Sequence, residues 1–159
     1  PGIEFASPGA RLGAYILDII ILTIIVGGLI VVGAVVAGLG TDFEIDPTTG
    51  DIIPGSVDLS SGSWLVFAML TLIATIIGIL YFPWFWARGG QTPGMRPFNL
   101  AVVRDADGGR IGWGAALLRL LGFYVSSLVF YLGFIWIFID KRRRGWFDLI
   151  AGTVVIRRP

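Results

Sequence analysis

Two charged residues, Arg11 and Asp18, lie at the start of the most hydrophobic run of the chain. They are seven residues apart, so a helix would place them on one face, two turns from each other. A carboxylate inside an apolar membrane segment is unfavourable unless it is paired or hydrated. The sequence leaves two interpretations of Asp18 open. It is either a cation or proton site, or a structural acceptor for helix ends or for a cation such as Arg119.

Two more acids follow the last apolar run: Asp140 and Asp148. Arg11, at the interface, could reach either acid, or its charged head could lie among lipid phosphates. Between the acids lies a cluster of four consecutive cations, which we interpret as an orientation signal that faces anionic lipids. Its members are Lys141, Arg142, Arg143 and Arg144.

Residue types that usually carry out catalysis are scarce. The chain has no His and no Cys, so it has no disulfide framework and no Cys/His metal site. We find no nucleophile–base pair, phosphate-binding loop or dinucleotide fingerprint. We therefore expect no enzymatic activity, no catalytic residue, no metal site, no ligated cofactor and no nucleic-acid partner. Lipids, or pigments that need no side-chain ligand, stay open as bound groups.

The elements that must position these residues are membrane helices. Hydrophobic residues make up 55% of the 159 residues and charged residues only 14%, against roughly 25% charged residues in soluble domains. The apolar residues form long blocks, as in integral membrane proteins. We predict one membrane domain over residues 1–159, with transmembrane helices over about 12–38 and 64–86. The first block is longer than a signal-peptide core and lacks a cleavage pattern, so we expect a retained span.

Loop charges predict the orientation of the spans. Residues 39–63 contain five acids and no Lys or Arg, whereas residues 87–110 contain four arginines. The positive-inside rule places the acidic loop outside and the arginine-rich segment in the cytoplasm. The spacing of the five acids fits no EF-hand, so we interpret the loop as solvated, with a short hairpin around Thr49-Gly50.

The third apolar block, residues 111–139, is predicted to be a re-entrant or interfacial helical hairpin. A single crossing would place the basic cluster outside, against the charge rule, and 29 residues are fewer than the roughly 40 that two crossings need. We place the break at Gly133 and expect the head of Arg119 in water. The β-prone runs 99–103 and 153–156 then share the cytoplasm with both termini and should pair. The predicted fold class is all-α integral membrane, with a small cytoplasmic β element.

Three segments carry a resemblance to a known family: SPGARLGAYILDIII, GQTPGMRPFNLAVVRDADGGRIGWGAALLR and DKRRRGWFDLIAGTVVIRR. In this order they resemble the RDD family of small bacterial membrane proteins, named for one arginine and two aspartates. The resemblance covers nearly the whole chain and implies the bacterial inner membrane. It implies that the family arginine is Arg11, that the first aspartate is Asp18, and that the second is Asp140 or Asp148.

The chain departs from that family pattern at two titratable positions. Met95 stands where GQTLGK has its lysine, and Phe147 stands where a histidine often precedes the late aspartate. These changes weaken the case for a proton-coupled mechanism.

Two functions compete. An accessory or assembly subunit of a larger membrane complex fits a small chain that is rich in aromatic residues and poor in ligands. The alternative, implied by the resemblance, is an oligomeric transporter or monovalent cation/proton exchanger that uses Asp18. Expected partners are membrane lipids and either other membrane subunits or further copies of the chain.

Overall fold

The protein is described by a computed structural model over residues 4–54, 56, 62–129 and 132–158. Helix α1 spans Pro8–Leu39 and helix α2 spans Gly62–Gly89. Both are long and apolar enough to cross a membrane. The two predicted spans are confirmed, and each helix extends a few residues beyond the predicted bounds. Leucine, isoleucine and valine dominate both helices, which have apolar residues on every side, as helices surrounded by lipid do.

The third apolar block forms a bent helix pair, as predicted. Helix α3 spans Trp113–Leu128, and helix α4, Leu132–Ile135, continues into a 3₁₀ turn at Trp136–Phe138. The two arms meet at 110°, and taken together as one span they would be a third candidate crossing.

The predicted position of the break, at Gly133, is wrong. Helix α3 ends at Leu128 and helix α4 begins at Leu132, so Gly133 is a buried residue inside α4. A Cβ atom on Gly133 would collide with Ser126 Oγ and would lie 3.1 Å from the Cβ of Trp146. The glycine is therefore needed for close packing of α4 against its neighbours, and the chain bends before it.

A two-stranded antiparallel sheet joins the middle of the chain to its C-terminal part. Strand β1 spans Leu100–Arg104 and strand β2 spans Thr153–Arg157, with Val102 opposite Val155. This confirms the predicted pairing of the two β-prone runs. A 3₁₀ helix over Pro93–Phe98 precedes β1, and helix α5, Trp146–Ala151, precedes β2. Neither short helix is among the elements predicted from the sequence.

The chain divides into two compact units. One comprises Pro1–Ile21 and Ile79–Pro159, and the other comprises Leu22–Gly78. The first unit holds the sheet and a buried core around Trp86, Met95, Leu100 and Val155. In the second unit, Gly33 packs against Phe67, and a β-bridge between Ile45 and Ile52 closes the predicted hairpin of the acidic loop.

Candidate functional site

Asp148 is the centre of a buried ion cluster in the first unit. It is the third residue of α5, where its Oδ2 accepts the backbone N–H of Gly145 at 2.9 Å and so caps the helix. Arg11 Nη1 on α1 donates to the same oxygen at 2.7 Å. Arg119 Nη1 on α3 donates to the other oxygen, Oδ1. One carboxylate therefore joins three helices that are distant in sequence.

Arg119 is fully buried, with its side chain 0% exposed. Besides Asp148, its Nη1 donates to Thr153 Oγ1 at 2.7 Å. Its guanidinium lies over the rings of Trp86, at 4.7 Å, and Phe147, at 5.2 Å. The prediction that its head lies in water is wrong, because a carboxylate and two ring faces replace water around the charge. Arg119 is also not the partner of Asp18.

The electrostatics of the cluster favour an ionised Asp148. Burial by itself raises the pKa of Asp148, but the charges of Arg119 and Arg11 outweigh it and hold the pKa below its ordinary value. Arginine stays protonated in proteins, so the cluster carries two positive charges and one negative charge. We call these three residues, Arg11, Arg119 and Asp148, the arginine–aspartate cluster.

Several donors in and around this cluster have no acceptor among the residues that the structure describes. Arg11 and Arg119 each use Nη1 and leave Nε and Nη2 unpaired. The buried hydroxyl of Tyr15 likewise has no hydrogen-bond partner among the described residues. Buried donors are normally satisfied, so this shortage of acceptors is the unusual feature of the site.

Asp18 forms a second, separate buried site in the same unit. Its Oδ1 accepts the hydroxyl of Tyr81 and the backbone N–H of Gly94, both at 2.8 Å. Its Oδ2 accepts the hydroxyl of Thr92 at 2.5 Å. Asp18 is 0% exposed, and within the described ranges it makes no ion pair. Three neutral donors thus satisfy the carboxylate and tie α1 to α2 and to the 3₁₀ helix.

Thr92 and Gly94 are positioned by the 3₁₀ helix that they begin. Thr92 is its N-cap, and its hydroxyl oxygen accepts the backbone N–H of Met95 at 3.3 Å while its hydrogen goes to Asp18. A Cβ atom on Gly94 would overlap the carbonyl oxygen of Ala14 and lie 2.7 Å from Asp18 Cγ. The GQTPG segment is therefore a cradle for a carboxylate, built from a capping hydroxyl and a glycine N–H.

Comparison with known proteins places these sites in a family. The sequence profile of the RDD family matches residues 5–152, which include both sites. The chain belongs to the RDD family. It is similar to the uncharacterized protein YxaI of Bacillus subtilis (strain 168), with 32% identity over 93 residues. That match covers 58% of this chain and 60% of the relative, so the chain spans less than two thirds of the curated relative's length. No solved structure matches the chain significantly.

The structure separates the two candidate acids of this RDD protein. Arg11 contacts Asp148, whereas Asp140 accepts Arg144 Nε at 3.0 Å and Arg144 Nη2 at 3.1 Å. The hydrogen bonds from Arg144 lower the pKa of Asp140, which lies near the surface. Asp140 is therefore not in contact with the arginine–aspartate cluster.

The basic cluster of this RDD protein is partly engaged by its own acids. Arg142 Nη1 lies 2.8 Å from Asp105 Oδ1, and Arg144 Nη1 lies 2.9 Å from Asp105 Oδ2. Two of the four cations, Arg142 and Arg144, thus have acidic partners in the chain. The other two are Lys141, the first residue of the run, and Arg143, which lies between the two paired arginines. The lipid-facing role that we assigned to all four remains a prediction.

Sequence reasoning missed the donors around Asp18 and the second arginine on Asp148. A signal existed for the first, because Thr92 followed by proline and glycine is a typical N-cap before a short helix. Arg119 stands out in the sequence as a charge in an apolar block, but several acids are possible partners and only the fold distinguishes among them.

Proposed function

We propose that this RDD protein is an accessory or assembly subunit of a larger membrane complex. The observation that carries the proposal is the commitment of both buried carboxylates to internal contacts. Asp18 and Asp148 each accept hydrogen bonds on both oxygens from groups of the same chain. A pathway for an ion needs a carboxylate that can exchange its ligands, and these two hold helices together.

The apolar helix faces are consistent with this role. Ile24, Val31 and Leu72 are more than 60% exposed in the single chain, and three other aliphatic residues of α1 and α2 are as well: Leu12, Leu39 and Leu65. Between helices in a membrane, association depends on close packing and polar contacts, because lipid tails are as apolar as the side chains. Such faces can be covered by lipid or by other subunits. The subunit role must therefore be tested by measuring whether the protein associates with other membrane proteins.

The test measures association at the natural expression level. A tag is added to the chromosomal copy, membranes are solubilised in a mild detergent, and the tagged protein is sized and its companions are quantified. We expect it to migrate in a species larger than one chain, with other membrane proteins in fixed stoichiometry. Its deletion should lower the amount of that same assembled species. A tagged protein that migrates as one chain, with all membrane assemblies intact after deletion, contradicts the subunit role.

A second candidate, an oligomeric transporter or monovalent cation/proton exchanger, has one observation in its favour. Asp18 is a buried acid that is met only by neutral groups in the described residues, and two of its donors, Tyr81 and Thr92, carry hydroxyl oxygens. Carboxylate and hydroxyl oxygens are the kinds of ligand that hard cations take. Purified wild-type protein in vesicles, without companions, provides the test. Sodium- or potassium-driven proton movement would support the exchanger and exclude a purely accessory role.

A further inference from the structure

A pocket of about 260 Å³ opens beside the arginine–aspartate cluster. Gly9, Leu12 and Tyr15 of α1 line one side, together with Arg11, and Phe134 and Phe138 lie on the other. The lining is apolar except for Arg11 and the hydroxyl of Tyr15. Both polar residues lie at the start of α1, where a candidate span begins. The pocket therefore combines an apolar wall with a charged end at one boundary of the apolar helix.

Arg11, which lines this pocket, has a buried hydrogen-bonding edge without a partner among the described residues. Its side chain is 2% exposed, and its Nη1 is bound to Asp148. Its Nε and Nη2, which have no acceptor in the described part of the chain, form one edge of the planar guanidinium. Two parallel N–H groups on one edge match two oxygens of a phosphate or carboxylate. The Tyr15 hydroxyl, also without an acceptor there, adds a third donor.

The charge balance points to the same kind of ligand. The cluster has two arginines and one carboxylate, and an unmatched buried charge is strongly unfavourable. The next buried carboxylate on α1, Asp18, is about 10 Å farther along the helix axis, and its oxygens already accept three hydrogen bonds. The charge of Asp18 can reduce the positive electrostatic potential at the cluster, but Asp18 offers Arg11 no hydrogen-bond acceptor. One anion with oxygen acceptors would balance the charge and accept the unpartnered N–H groups of Arg11.

We propose that this pocket binds one anionic membrane phospholipid. Its phosphate accepts the Nε and Nη2 edge of Arg11 and the hydroxyl of Tyr15, and part of an acyl chain lies against Leu12, Phe134 and Phe138. A lipid satisfies the apolar wall and the charged end together, and headgroups lie where membrane helices begin. The site is independent of whether the protein acts as a subunit or as an exchanger.

The test compares ligands of defined charge on the purified protein in a neutral detergent. Phosphatidylglycerol, phosphatidylcholine with the same acyl chains, and inorganic phosphate are each titrated while the unfolding temperature is measured, and native mass spectrometry counts bound lipid. We expect phosphatidylglycerol to raise the unfolding temperature in a saturable way, with one bound molecule per chain. Phosphatidylcholine should raise the unfolding temperature much less. An equal response to both lipids, or an equal response to phosphate alone, overturns the proposal.

Two variants and one matched control test whether the effect of phosphatidylglycerol arises at this pocket. Gly9→Leu puts a side chain at the pocket without touching the Arg11–Asp148 pair, since nothing lies within 4 Å of a Cβ there. Gly28→Leu is the control, because it makes the same change in α1 at a glycine with equally open surroundings that does not line the pocket. Arg11→Lys keeps the positive charge but removes the two-donor edge.

We expect Gly9→Leu and Arg11→Lys to bind phosphatidylglycerol about tenfold or more weakly, a difference of roughly 1.4 kcal/mol. Gly28→Leu should bind like the wild type. If Arg11→Lys does not fold, Gly9→Leu still decides the result, because it leaves the ion pair intact. Wild-type affinity in Gly9→Leu refutes the site.

Discussion

Arg11 and Asp148 are 137 residues apart in the chain and share a buried ion pair of 2.7 Å. The pair connects the first helix, α1, to the last one, α5. Because Arg119 binds the other carboxylate oxygen, a single acidic side chain fixes α1, α3 and α5 together. In a protein with few polar side chains inside, such a joint determines which helices pack together, because aliphatic side chains alone are equally compatible with lipid.

Replacing Asp148 should therefore destabilise the fold strongly. Asp148→Asn keeps the size of the side chain but leaves two buried guanidinium groups without a counterion. Breaking a buried pair by removing one partner is unfavourable by about 3–5 kcal/mol. The measurement is the free energy or temperature of unfolding in mild detergent. The control is Asp107→Asn, which removes the charge from a pair with Arg104 that is about half exposed and should change stability little. Equal effects of the two substitutions would mean that the buried pair has no special role.

The same residue should give stability a specific pH dependence. Asp148 has a lower pKa folded than unfolded, where it is near the ordinary value of about 3.9. Its contribution is therefore fully present above about pH 4 and is lost as the pH falls below that value, through the folded pKa. The difference in unfolding temperature between wild type and Asp148→Asn should be constant at neutral pH and should shrink on acidification below pH 4. A difference that grows as the pH falls would contradict the ion-pair assignment.

The spans and the sheet could be predicted from sequence because their signals are local. A long apolar block and a β-branched run each determine one element, and the charge rule brought residues 99–103 and 153–156 together. The identity of the buried partners depends on helix packing, which leaves no local pattern. Asp140 and Asp148 are both acids after the same block, and only the rotation of α5, which buries Asp148, distinguishes them. Likewise, nothing near Arg119 in sequence indicates that it lies beside Thr153.

Gly94 should tolerate no side chain, because it lies against Asp18. Gly94→Ala would place Cβ 2.7 Å from Asp18 Cγ and in collision with the carbonyl of Ala14. Overpacking of this kind is unfavourable by about 1–3 kcal/mol. Gly114→Ala in α3, where nothing lies within 4 Å of the Cβ position, is the control and should be neutral or slightly stabilising. Unfolding temperatures of both variants test this, and a neutral Gly94→Ala would show that the cradle around Asp18 is loose.

The proposed orientation can be tested with single cysteines, since the chain has none. Ser56→Cys lies in the acidic loop and Arg157→Cys in β2. We expect a membrane-impermeant maleimide to label Ser56→Cys in intact cells and Arg157→Cys only after permeabilisation, because the basic segments should be cytoplasmic. Labelling in detergent confirms that both thiols can react. If both are labelled from the same side, the topology is wrong.

Asp18 distinguishes the two candidate functions, and substitutions around it separate charge from hydrogen bonding. In Asp18→Asn the amide oxygen can still accept the Tyr81 hydroxyl and the Gly94 N–H, and the amide NH₂ can donate to the Thr92 oxygen. The fold should therefore survive. Tyr81→Phe is the matched variant, because it removes one hydrogen bond of 2.8 Å and keeps the charge. Each of the two substitutions should lower the free energy of unfolding by about 1 kcal/mol.

If Asp18 is a structural residue, Asp18→Asn and Tyr81→Phe should both assemble and support whatever the wild type supports. If Asp18 binds a transported cation, Asp18→Asn should abolish ion-driven proton movement in vesicles, whereas Tyr81→Phe, which keeps the negative charge and removes one hydroxyl oxygen, should only weaken it. The assay requires equal amounts of folded protein, which the unfolding temperatures check. Because both oxygens of Asp18 are occupied by donors, and because no second acid contacts it in the described residues, we expect no wild-type transport signal. A wild-type signal that Asp18→Asn alone removes would instead make this cradle the cation site.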